Sequence, residues 1–424
     1  MSQLSTKIVS NTIYQLIGKI VSMSVTILVV YIVTRTYGRE AYGAFSLMQT
    51  WPALFFVIVD FGINAVATKE LSQDWSKAEK LLGNILIIRV LFSFALMALL
   101  AVVLWLFPYS AGLKFGIMLS LFLILTQALY ATTNIVFQVK LRYDLSTIGY
   151  LTGYAAILVF ILVFSYFLVD VKWISFSYVI GGFITFLVNW KFVHYLGLSP
   201  KIILDKDTFS YLLITSLPLG LMFVFSQINF KVDSILLSVL QLPVKYGLNN
   251  TESVAVYSLP YKIFEVALVI PTFFMNSVFP VMVKKMVSGR DELKSVFLRS
   301  MVFLVMAAVV GSILGIIFAP LVINFLGGKA FYQSVLALRI LLAGLILYYA
   351  TQPLAWLIVT LGGQKKLPYV YLVSAVFNVT ANYVFIQKYS FYASAVITHV
   401  SEFLILCMLL YVAARSWRQK YVKA

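Results

Sequence analysis

Twelve long apolar runs dominate this 424-residue sequence. A helix that spans a bilayer needs about 20 mostly apolar residues, which is close to the length of each run. Only 11% of the residues are charged, whereas soluble domains carry about 25%. The length of the runs and their weak alternation favour helices over a membrane barrel. The sequence therefore predicts an all-α, polytopic membrane protein, with runs near 11–34, 42–67, 83–107, 115–137, 147–169, 173–194, 210–240, 254–280, 297–325, 335–361, 369–387 and 391–414.

An internal repeat divides the chain. Residues 35–71 are echoed without a gap at 247–283, an offset of 212, with seven identical positions. Six predicted helices separate the copies, so both copies enter the membrane in the same orientation. A parallel repeat of this kind is typical of transporters with two similar lobes around a central cavity. We predict a six-helix lobe over 1–197 and a second over 198–424, with the polar segment 197–209 between them.

The basic residues indicate topology rather than nucleic-acid binding. The net charge is +17, and of the 32 Lys and Arg, 21 lie at the termini and the even-numbered loops, against eight in the odd-numbered loops. The positive-inside rule then places both termini in the cytoplasm of a cell-membrane protein. The first run carries polar residues throughout, so we expect a retained helix rather than a signal peptide.

Two predicted helices carry a polar stripe that contains a lysine. Spacings of three and four place the members of each stripe on one helical face. Charge at membrane depth is costly and should face a cavity or a partner. Two such stripes predict a cationic cavity for an anion; the alternative is a hydrogen-bonded seam between helices. The stripes are Asn11, Gln15, Lys19, Ser22 and Thr26 in the first helix, and Gln227, Lys231, Ser234 and Ser238 in the seventh.

Three acidic residues in the apolar runs are candidates for coupling to an H⁺ or Na⁺ gradient. Asp60 has no evident sequence-local partner, and Asp233 points away from Lys231, two residues earlier. Glu265 is three residues from Lys262, so these two side chains are also expected to neutralise each other.

No cofactor, metal site or catalytic centre is predicted. His399 and Glu402 form one H-x-x-E pair, which is too few ligands for a metal. The single cysteine, Cys407, is expected to be a small buried residue and allows no disulfide within the chain. The sequence contains no Walker A, G-x-S-x-G or H-E-x-x-H motif, so we do not expect an enzyme.

Four segments carry a resemblance to a known family: T-R-T-Y-G-R-E-A-Y-G-A-F at 34–45, D-F-G-I-N-A-V-A-T-K-E-L at 60–71, S-Q-I-N-F-K-V-D-S-I-L-L at 226–237, and V-A-V-Y-S-L-P-Y-K-I at 254–263. The chain resembles the polysaccharide-biosynthesis, or O-antigen (Wzx-type), flippases. These belong to the multidrug/oligosaccharidyl-lipid/polysaccharide exporter superfamily.

The resemblance implies movement of a polyprenyl-diphosphate-linked oligosaccharide from the cytoplasmic to the outer leaflet by alternating access, in lipopolysaccharide or other polysaccharide biosynthesis. It also implies cationic residues in the cavity, which agrees with Lys19 and Lys231. Arg35 and Arg89 are second-rank candidates, because arginines at helix ends also snorkel. Implied partners are the lipid-linked glycan and membrane lipid, with polysaccharide polymerase and chain-length proteins as further candidates.

Other classes remain open. A cation-coupled multidrug exporter of the same superfamily would need carboxylates in its cavity. A peptidoglycan-precursor flippase usually has two additional helices, for which this chain lacks room. A major-facilitator carrier normally has a basic motif in its second loop, and segment 68–82 shows none. A membrane enzyme or assembly scaffold is the alternative from a different class.

Overall fold

The computed structural model describes the backbone of residues 3–421 and the side chains of residues 10–421, and within this part of the chain it contains helices and no strands. The fourteen α-helices are α1 (Gln3–Asp60), α2 (Ile63–Gln73), α3 (Ala78–Trp105), α4 (Ala111–Val139), α5 (Tyr143–Tyr166), α6 (Val171–Tyr195), α7 (Lys206–Val239), α8 (Asn250–Ala267), α9 (Val269–Ser288), α10 (Arg290–Gly327), α11 (Ser334–Ala343), α12 (Leu345–Thr360), α13 (Leu367–Tyr389) and α14 (Phe391–Tyr421).

Eleven stretches of the described residues are long and apolar enough to cross a membrane, and the first contains two of the twelve predicted runs. It covers Ser10–Gln73, 64 residues. An unbroken helix of that length is about 95 Å long, roughly three times the hydrocarbon core. Gly38 divides α1 into two helical segments, with φ 82° and ψ −173°, a left-handed conformation that glycine adopts without strain. The all-helical, polytopic prediction is confirmed, and the first two predicted runs lie on either side of this break.

Apolar side chains on the outer face of α10 fit a lipid environment. They recur every three or four residues, so they form one stripe, and each is more than half exposed. Such a stripe faces lipid at no cost, whereas water would penalise it. Its members are Val302, Met306, Val310, Ile313, Ile317 and Leu321.

The chain forms two compact units that divide inside α7, at Val224 and Phe225. In the first unit, α4 packs against α1, α3 and α6, and α5 packs against α1 and α6. In the second unit, α14 packs against α12 and α13, while α10 contacts α9, α11 and α12. The boundary that we placed at 197/198 stays a prediction.

The segment between α6 and α7 is fastened to the start of α3 in the first unit. Lys201 N donates to the Glu79 carbonyl at 3.1 Å, and Asp205 N donates to Asn84 Oδ1 at 2.7 Å. Asp205 also accepts from Thr208 and pairs with a lysine side chain, and these contacts hold the pKa of Asp205 below its usual value. This polar segment is therefore hydrogen-bonded structure rather than a loose linker.

A proline explains the break between α8 and α9. Pro271 has no N–H, so it leaves the carbonyl of Ala267, four residues earlier, without its helical donor. The Tyr349 hydroxyl of α12 donates to that carbonyl at 2.7 Å. A neighbouring helix thus satisfies the backbone group that the proline frees, as membrane bundles require.

Candidate functional site

The centre of the first unit contains a buried ion pair. Arg89 of α3 is 0% exposed, and its Nη2 donates to Asp60 Oδ1 at 2.5 Å and to Asn64 Oδ1 at 3.0 Å. Its Nη1 donates to Thr132 Oγ1 of α4 at 2.7 Å. Asn64 Nδ2 completes the network by donating to Asp60 at 2.8 Å. One guanidinium therefore joins the end of α1, the start of α2 and the middle of α4.

This network corrects one expectation. Asp60 does have a sequence-local partner, Asn64 one turn later, beyond the Phe61–Gly62 break at which α1 ends and α2 begins. The ion pair neutralises Asp60 and occupies Arg89. Their predicted roles in ion coupling and substrate binding stay predictions.

Backbone carbonyls satisfy most of the polar stripe on α1. Buried Asn11 donates to the Leu141 carbonyl and accepts from Tyr143 N, both at 2.8 Å, and so holds the α4–α5 turn. Ser22 and Thr26 donate to carbonyls of their own helix. The remaining members are exposed Gln15 and half-buried Lys19. Arg35 lies further along, exposed, with its guanidinium 5.8 Å from the centre of the Tyr31 ring.

The second unit contains a basic cluster on α7 and α8. Lys231 Nζ donates to Glu265 Oε1 at 2.5 Å, and Lys262 Nζ donates to Glu265 Oε2 at 2.8 Å. The expected Lys262–Glu265 pairing is confirmed. Lys231 also lies 5.8 Å from the centre of the Tyr261 ring. Two ammonium groups share one carboxylate, so the cluster carries a formal charge of one positive unit.

A polar cavity of about 100 Å³ lies elsewhere in the second unit, among α7, α12, α13 and α14. Glu402 of α14 lines it and accepts from Thr351 Oγ1 at 2.5 Å. Asn229 also lines it; it accepts from Ser374 Oγ at 3.0 Å. The other lining residues are Ser226, Phe230, Tyr348, Gln352, Ala355, Tyr371, Thr398, Ser401 and Ile405.

Asp233 is buried beside this cavity. Its Oδ2 accepts from Tyr257 at 2.5 Å and from Thr398, a lining residue, at 3.2 Å. Within residues 10–421, no salt bridge reaches Asp233 or Glu402. Unlike Glu265 in the basic cluster, Glu402 and Asp233 thus accept from hydroxyl groups rather than from ammonium groups, although Lys231 is close enough to Asp233 to act on it electrostatically.

The H-x-x-E pair on α14 is split between two environments. His399 Nε2 lies 2.7 Å from the Ile340 carbonyl, and its ring packs between Phe264 and Tyr348, whereas Glu402 faces the cavity. In the described part of the chain, no three His, Cys, Asp or Glu side chains are grouped to hold a metal. Cys407, which we expected to be buried, is exposed.

Sequence reasoning missed Glu402 and Lys262 as site residues. Glu402 was interpreted from the sequence only together with His399, although a carboxylate in an apolar run is itself a functional signal. Lys262 was treated as a partner of Glu265 alone. The available signal was that Lys262, Tyr261 and Glu265 lie within five residues of one another, on the helix that follows the one with Lys231.

The architecture is that of a transporter fold. A multidrug resistance MATE family transporter of the MOP superfamily, in an inward-facing conformation, aligns with a TM-score of 0.76 and 14% identity over 95% of this chain and 96% of that chain. The lipid II flippase MurJ, inward closed, aligns with a TM-score of 0.74 and 15% identity over 97% and 90%. A MOP superfamily transporter from Pyrococcus furiosus aligns with a TM-score of 0.69 and 16% identity over 98% and 96%. The protein therefore has the fold of the MOP superfamily transporters.

The family follows from the sequence itself. Residues 8–286, more than half of the chain, match the polysaccharide biosynthesis protein family. The chain belongs to that family. No individual curated protein matches it. Family and fold together support a flippase or exporter in a membrane.

Proposed function

We propose that the protein is a flippase for a polyprenyl-diphosphate-linked oligosaccharide, such as an O-antigen repeat unit. It moves this lipid from the cytoplasmic to the outer leaflet of the inner membrane by alternating access through a cationic cavity. The observation that carries the proposal is the basic cluster: Lys231 and Lys262 share Glu265 inside candidate spans and leave a net positive charge there. A charge at membrane depth costs at least about 2.5–3.5 kcal/mol, which an anionic headgroup offsets.

The test removes the predicted cavity lysines in a host strain that lacks the gene. Lys231→Ala, alone and with Lys19→Ala, is expected to reduce surface polysaccharide about tenfold or more, because a charge-assisted contact to the diphosphate is lost. Lys329→Ala, at an exposed position between α10 and α11, is the matched control. Wild-type polysaccharide in the double variant, at equal protein level, contradicts the proposal.

Ion coupling is the second part of the proposal and involves the polar cavity of the second unit. Hard cations prefer oxygen ligands, and Glu402, Asp233 and their hydroxyl neighbours supply them. We assign H⁺ or Na⁺ to this cavity in preference to Asp60 and Glu265, which already pair with basic side chains. Export that depends on a proton or sodium gradient and loses this dependence in Glu402→Gln supports the assignment; gradient-independent export contradicts it.

The same carboxylates favour one alternative, a cation-coupled multidrug exporter. That function predicts that overproduction raises resistance to cationic drugs and that Glu402→Gln abolishes this resistance. Unchanged susceptibility, together with loss of surface polysaccharide on gene deletion, excludes it.

The topology is tested independently. The excess of basic residues at the termini and even-numbered loops predicts a cytoplasmic C-terminus. A C-terminal fluorescent-protein fusion should therefore fluoresce, and a C-terminal alkaline phosphatase fusion should be inactive. The reverse pattern contradicts this orientation.

A further inference from the structure

The basic cluster contains its own counter-ion. Each oxygen of the Glu265 carboxylate accepts a hydrogen bond from one ammonium group: Oε1 from Lys231 at 2.5 Å and Oε2 from Lys262 at 2.8 Å. All three side chains are partly exposed: Lys231 by 19%, Glu265 by 26% and Lys262 by 40%. A ligand can therefore reach both ammonium groups, but only in competition with the carboxylate between them.

The two ammonium groups suit a phosphate-type anion. The two oxygens of one carboxylate bridge them, and two oxygens of one phosphate group are spaced similarly. Lysines act on phosphates as point charges, so the charge of the anion rather than a fixed fork geometry decides how strongly it binds. Tyr261 closes one side, and its buried hydroxyl has no hydrogen-bond partner among the described side chains.

We propose that Glu265 is an internal competitor: it occupies the Lys231–Lys262 site and is displaced only by an anion that binds the two ammonium groups more strongly, as one with more than one negative charge does. This inference rests on the proposed function and extends it to the choice of headgroup. A monoanion that replaces Glu265 exchanges one charge for one and gains little. A diphosphate brings additional charge to the same two ammonium groups, and in a site of low dielectric that difference decides occupancy. Lys262 thereby becomes the second cation of the site.

The test measures anion binding by the full-length protein in lipid nanodiscs, by calorimetry, with inorganic pyrophosphate and inorganic phosphate as probes. Glu265→Gln is expected to bind both anions about tenfold more tightly and to leave the ratio of the two affinities unchanged, because neither anion then has to displace a carboxylate. Lys262→Ala is expected to bind pyrophosphate about tenfold more weakly. Glu265→Asp keeps the charge and should keep the wild-type affinities.

The exposed Lys285–Glu292 ion pair in the same unit provides matched controls. Glu292→Gln and Lys285→Ala make the same changes in net charge and should leave pyrophosphate affinity within about twofold of wild type. Unchanged or weaker binding in Glu265→Gln, wild-type binding in Lys262→Ala, or equal effects in the controls overturn the inference. Binding by Glu265→Gln alone, with none detectable in wild type, supports it; binding by neither protein overturns it.

The failure of this inference and of the proposed function are distinguishable. If Lys231→Ala abolishes export but Glu265→Gln leaves both anion affinities unchanged, the flippase proposal stands and the counter-ion inference is wrong. If the binding results hold but the lysine variants export normally, the site binds diphosphate and the proposed function is wrong.

Discussion

The strongest energetic prediction concerns the buried Arg89–Asp60 pair. Arg89 has no exposed surface, and Asp60 is the one carboxylate that contacts it in the described structure. Removal of one partner from such a pair costs about 3–5 kcal/mol, because the remaining charge is buried without compensation. Asp60→Asn retains the shape and one acceptor oxygen but removes the charge. We therefore expect Asp60→Asn to lower the free energy of unfolding by an amount near the lower end of that range.

Replacement of both partners should recover most of this loss. Asp60→Asn with Arg89→Met leaves no buried charge, and exchange of a buried ion pair for apolar packing is often neutral. The assay is thermal unfolding of the purified protein in detergent, where about 3 kcal/mol corresponds to a fall in melting temperature of about 3 °C for a chain of this length. The exposed Lys77–Asp74 pair, with 64% and 44% exposed side chains, is the control; Asp74→Asn should cost under about 1 kcal/mol.

Two results refute this reasoning. Either Asp60→Asn is no more destabilising than Asp74→Asn, or the double variant loses as much stability as the two single variants together. The double variant also tests the role predicted for Arg89. Stable protein with normal export makes Arg89 a structural residue, whereas stable protein without export retains it as a substrate contact.

Three further perturbations follow from single contacts. Gly83→Ala places a methyl group 1.7 Å from the Lys201 carbonyl oxygen, so it should lower the melting temperature by several degrees, whereas Gly112→Ala, with open space around it, should not. Tyr349→Phe should cost about 0.6–1.7 kcal/mol, and less when Pro271→Ala restores the helical donor; equal costs in both backgrounds refute the shared carbonyl. The pKa of Asp205 is lowered, so its stabilising contribution is present above about pH 4 and is lost as the pH falls through the folded-state pKa. Below pH 4 the melting temperature of Asp205→Asn should therefore fall less steeply with pH than that of the wild type. Equal slopes in the two proteins contradict this.

The spanning helices were predictable because lipid acts on each of them locally. About 20 apolar residues suffice to define a crossing, whatever the rest of the chain does. The (i, i+3) pair Lys262–Glu265 was predictable for the same reason, since helical spacing alone brings the two side chains together. The break between the first two runs was predictable as well, because polar residues separate them, and the structure places this break at Gly38.

Contacts between helices were beyond the reach of periodicity. Arg89 and Asp60 are 29 residues apart, and Glu402 and Thr351 are 51 apart. Spacing within a helix specifies which face a side chain occupies, but not which neighbouring helix that face meets. The α1 stripe illustrates the difference: its members share a face, yet Asn11 uses that face to hold the α4–α5 turn.

The two polar groups of the second unit divide the chemistry that the proposed function requires. The cluster of Lys231, Lys262 and Glu265 is net positive and suits an anionic headgroup, while Glu402 and Asp233 at the cavity form no salt bridge within residues 10–421 and suit a cation. One α7 segment carries a residue of each, and the two-residue step from Lys231 to Asp233 turns them to different faces of the helix. A movement of α7 that follows release of Glu265 would therefore also alter the surroundings of Asp233. Coupling between headgroup and ion then needs no contact between the two ligands, only the rigidity of one helix.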